Sequence, residues 1–83
     1  MTINENWAVN PREVRAFFAA QPGAVETEDG FLVGGCRVCL TAVPGTLLGK
    51  WPITRTQLQL EGEPEAVQAL HRRFFLTFLS AGG

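Results

Sequence analysis

Residues 53–78 read ITRTQLQLEGEPEAVQALHRRFFLTF, and the change of period inside this stretch decides the fold. Up to Glu61 the side chains alternate. Thr54, Thr56, Leu58 and Leu60 share one face of a strand, while Ile53, Arg55, Gln57 and Gln59 share the other. Gly62 punctuates. Glu63-Pro64-Glu65 then places a proline and two acids where a first helical turn favours them. From that point the spacing is helical, with Val67, Leu70, Phe74 and Phe78 forming one apolar stripe. The run from Phe74 to Leu79 is apolar nearly all the way round, so Phe75, Leu76 and Leu79 fall outside the stripe.

Working towards the N-terminus, Cys36 to Val43 reads as a strand, and Phe31 to Val33 starts it. Gly34-Gly35 interrupts the two as a bulge or kink. Asp29-Gly30 is a hairpin signal, expected to use the glycine's access to positive φ, and residues 24–28 form a short strand before it. A helix precedes the sheet, from Pro11 to Ala20. Asn10 caps it, Pro11 occupies the first position and Glu13 the third, and Val14, Phe17 and Phe18 lie on one face. Gln21-Pro22-Gly23 stops it. Residues 44–52 read as a loop with proline at both ends and an unusual apolar content of Leu47, Leu48 and Trp51. Residues 1–9 read as an irregular or weakly extended arm anchored by Trp7 and Val9, and residues 80–83 as a flexible tail.

These elements predict one α+β domain over residues 1–83, in two layers. A helix, an antiparallel meander of three or four strands and a second helix follow in order, with both helices on one face of the sheet. At 83 residues a single domain is the natural size. The helix–three strands–helix order is similar to that of the double-stranded-RNA-binding domain. Such a domain presents basic residues to phosphate, whereas the second helix here opens with two acids. The formal net charge of −1 and pI near 5.7 also argue against a nucleic-acid partner. With 46% hydrophobic and 18% charged residues the chain is globular in composition, and no apolar run is long enough to span a membrane. The first residues carry no basic region or apolar stretch, so no secretion signal is expected. Two cysteines then suggest free thiols in the cytoplasm.

Four features carry candidate chemistry. Cys36-Arg-Val-Cys39 has the spacing of a zinc site or a dithiol pair. In a regular strand, however, residues three apart face opposite ways, and His71 is the only histidine available as a further ligand. Structural cysteines and no metal or cofactor are therefore expected, with a zinc or thiol-redox domain as the alternative. Arg37 should share the open sheet face with Arg55, Gln57 and Gln59, where the arginines could hold an anion or carboxylate. Trp51, Leu47 and Leu48 in the loop, and Phe75, Leu76 and Leu79 on the last helix, are candidate interface residues. Finally, the chain ends in Gly82-Gly83, a terminus that resembles those of sulfur-carrier and ubiquitin-like proteins. The expected function is a small non-catalytic binding module that forms a homodimer or docks on a larger protein.

Overall fold

The computed structural model describes residues 1–48 and 51–79, and the side chains within 1–43 and 55–79. The order is β1 (Thr2–Trp7), α1 (Pro11–Ala19), β2 (Val25–Glu26), β3 (Gly30–Val33), β4 (Cys36–Leu48), β5 (Trp51–Gly62) and α2 (Pro64–Phe78). The strands form one five-stranded antiparallel sheet in the order β1-β5-β4-β3-β2. The α+β class is thus as expected. Strands β2 to β5 form a meander, and β1 adds a fifth strand at its far edge.

The first helix begins where its capping residue places it, and the second begins at Pro64 with no side-chain cap. Asn10 accepts a hydrogen bond from the Arg12 amide at 2.8 Å, and Pro11 follows at the position where its missing N–H leaves nothing unpaired. Cross-strand register puts Phe31, Val38 and Leu60 on one face, followed by Leu58 and Thr56 along β5. All are buried, together with Val14 and Phe18 from α1 and Val67, Leu70, Phe74 and Phe78 from α2. The Phe18 and Phe74 rings stack with centroids 5.5 Å apart, which joins the two helices over the sheet. Thr56, the one buried polar side chain among the described residues, donates to the Val9 carbonyl at 2.8 Å and ties down the β1–α1 turn.

The structure departs from the sequence reading at four places. Residues 2–7 are a regular strand rather than an irregular arm, paired with β5 from Thr2↔Glu61 to Trp7↔Thr56. Gly34-Gly35 is not a bulge inside one strand. It is a two-residue turn joining β3 to β4, with Val33 opposite Cys36 and Gly34 at φ 58°. Gly30 needs no positive φ. It begins β3, and a Cβ there would drive into the Val38 carbonyl. Finally, most of the stretch read as a loop over residues 44–52 belongs to the β4–β5 hairpin, whose pairing reaches Leu48↔Trp51 with a register shift between Pro44 and Leu47. Its two prolines are tolerated because β3 pairs only up to Cys39 and β1 only from Thr56. Beyond those points each strand of the hairpin is paired on one side alone.

Candidate functional site

The second helix builds the main surface. Its core stripe of Val67, Leu70, Phe74 and Phe78 points into the sheet, which leaves the rest of its last two turns outward. Phe75 is 39%, Leu76 62% and Leu79 52% exposed. α1 does not cover them, because its half-buried Phe17 packs on Phe74 and Phe78 instead, with centroids 5.6 and 5.7 Å away. Three large apolar side chains at positions i, i+1 and i+4 therefore form one patch.

This patch continues onto β1 through a polar clasp. Glu5 sits at an inward-facing position of the strand, where a carboxylate would ordinarily be unfavourable. Trp7 Nε1 donates to Glu5 Oε1 at 2.9 Å, and His71 Nε2 lies 2.8 Å from the same oxygen. Burial pushes the Glu5 carboxyl up in pKa, but the two hydrogen bonds and the charge of His71 outweigh it and leave the group below its ordinary range. The Trp7 ring meets Phe74 edge-on at 5.0 Å and Phe75 at 5.9 Å. His71 is thus a boundary residue that fastens the edge strand to α2. From sequence Trp7 stands only as an anchor of an irregular arm, and Glu5 carries no role. The alternation of Ile3, Glu5 and Trp7 was the available signal, obscured by an acid in the middle of the inner face.

The cysteines take opposite sides of the sheet. Cys36 is buried under the helices and Cys39 is half-buried on the other face. Burial pushes the Cys36 thiol up in pKa, against an opposing backbone hydrogen bond with Glu61. The two sulfurs therefore do not form a chelating or dithiol pair within one chain. Among the described residues no three of His, Cys, Asp and Glu gather as metal ligands.

The open sheet face carries Arg37, Arg55, Gln57 and Gln59 as the alternation requires. Arg37 pairs with Glu61 across the strands and Arg55 with Val43. Six residues of β4 separate the two positions, roughly 20 Å along the sheet, too far for one small anion to touch both. Each arginine also has a neighbour in its own chain. Arg37 lies 3.8 Å from Asp29, and Arg55 Nε donates to the Asn6 side chain, whose amide in turn donates to Gln57 at 3.3 Å. A shallow depression of about 290 Å³ lies between α1 and the β2–β3 edge. Its Arg15 bonds Glu26 at 3.3 Å and lies over the Phe31 ring at 5.8 Å, so its charge is already engaged.

The interface candidates Trp51, Leu47 and Leu48 belong to the hairpin by backbone pairing, but their side chains lie outside those described, as do Gly82 and Gly83 altogether. No helix among the described residues is long and apolar enough to cross a membrane. In comparisons with known proteins the chain matches no family model, no curated protein and no solved structure.

Proposed function

We propose that this chain is a small non-catalytic interaction module whose contact surface is the outer side of α2. The observation that carries the reading is the contiguous exposure of Phe75, Leu76 and Leu79 on an otherwise well-packed helix. Full burial of such a side chain is worth about 1.5–3 kcal/mol, and about half of that is left for a partner to gain at each of these half-covered positions. The two free thiols favour the cytoplasm as its compartment.

A photo-crosslinking residue placed at Leu76 tests the proposal in cells expressing the protein. Discrete adducts are expected from position 76 and none from Gln68, an exposed position of the helix's first half. An adduct of two chain masses would indicate a homodimer, and a heavier one a larger protein. No adduct at position 76, or equal labelling at both positions, would overturn the reading.

A further inference from the structure

The α2 patch and the β1 edge lie on the same side of the molecule, and among the described residues each is unpartnered. His71, Phe75 and Leu79 recur every four residues and so form one row along α2. The first two touch β1, His71 through Glu5 and Phe75 against the Trp7 ring. The row therefore follows the free edge of the sheet, with Leu76 beside it. Six large hydrophobic side chains are exposed among the described residues; Phe75 and Leu79 lie in this row, Leu76 beside it, and Met1 directly precedes β1.

We propose that this side joins two copies of the chain, with β1 running antiparallel to its counterpart across a two-fold axis and the α2 rows covering the seam. The proposal rests on the reading of α2 as a contact surface and names its occupant.

Backbone geometry selects the register. Met1 and Gly62 exchange both of their backbone hydrogen bonds, at 3.0 and 3.1 Å. Alternation then directs the peptide groups of Ile3, Glu5 and Trp7 towards β5, and those of Thr2, Asn4 and Asn6 outward. Pairing centred on Asn4 sets Asn4 against its own copy and Thr2 against Asn6, so every outward-facing peptide group of β1 gains a partner. The same register sets Ile3 against Glu5 and Met1 against Trp7. Charge supports it as well. Glu5 is the only charged side chain of β1, and this register never opposes it to itself, whereas one centred on Glu5 would face two carboxylates across the seam. An inward charge on an edge strand commonly blocks such pairing. Here the carboxylate is already held by Trp7 and His71 of its own chain. The opposite edge, β2, has two residues and offers no comparable template. The contact is isologous and closes as a dimer, doubling the five-stranded sheet.

Light scattering during gel filtration tests the proposal on the wild type, Asn4→Ala and Asn4→Pro. Proline at position 4 removes an outward N–H and takes nothing from the β1–β5 ladder. The wild type and Asn4→Ala are expected at twice the chain mass of 9.1 kDa. Asn4→Pro should weaken self-association by about tenfold or more, with circular dichroism unchanged. Amide hydrogen exchange on the wild type gives a second reading that needs no variant. The Asn4 and Asn6 amides should be protected, and dilution should remove the protection. A wild type at single-chain mass, still captured by a larger protein through position 76, would overturn self-pairing and leave the contact surface standing. A dimer whose Asn4 amide exchanges as freely as an exposed loop would overturn the β1 seam.

Discussion

Glu5 shows how one residue decides the character of an edge. Its carboxylate occupies a position that alternation assigns to the core side, and it persists there because an indole and an imidazole both reach it. The consequence for stability has a definite sign. Because the folded state holds the Glu5 pKa below its ordinary value, its contribution is present at neutral pH and is lost as the pH falls through the lowered value. In urea melts between about pH 6 and pH 3, Glu5→Gln should flatten the acid limb relative to the wild type. Parallel loss in the two proteins would show that the acid sensitivity lies elsewhere. Trp7→Phe, which keeps the ring but deletes the indole donor, should cost about 1 kcal/mol at neutral pH.

At the scale of elements, the joints between them are where backbone constraints concentrate. Gly34, in the β3–β4 turn, has φ 58°, but a Cβ there would meet open space. Gly62, between β5 and α2, has φ 147°, and a Cβ there would drive into the Gly35 carbonyl. Thermal melts should therefore separate the two alanine variants. Gly34→Ala is expected to cost about 1 kcal/mol, the strain of one left-handed residue, and Gly62→Ala about 3 kcal/mol or more, because backbone must move. Comparable losses would contradict this assignment. The same joints mark what was legible in the sequence. Both helices could be read because apolar period and a proline in the first turn agree at each start, with the Asn10 cap added at α1 and acids in the first turn of α2. The faces of β5 could be read because Thr56, Leu58 and Leu60 alternate without interruption. The Gly34-Gly35 turn could not, since two glycines fit a bulge as well as a turn. β1 was hidden because its inner face mixes Ile3 and Trp7 with an acid whose partner stands 66 positions away. Half of the proposed seam was therefore invisible, although Phe75, Leu76 and Leu79 stood out as apolar surplus.

For the whole molecule, association and stability are coupled. A partner that binds only the folded chain raises its apparent stability by mass action. The melting temperature of the wild type should climb with protein concentration, while that of Leu76→Lys should not. Differential scanning calorimetry over a hundredfold range of concentration, about one in ten per step, reads this directly, and a flat wild-type response would remove the coupling. The pairing of Thr2 with Glu61 has one more consequence, in the order of synthesis. Of the five strands, β1 comes first in this sequence, yet it has nothing to bond until β5, the fifth, has emerged. Until then the segment waits as loose chain, and the long loop that its closure spans makes this a slow, late step. The edge that the finished protein would offer to a second copy is thus one whose own pairing waits on the last strand of the sheet.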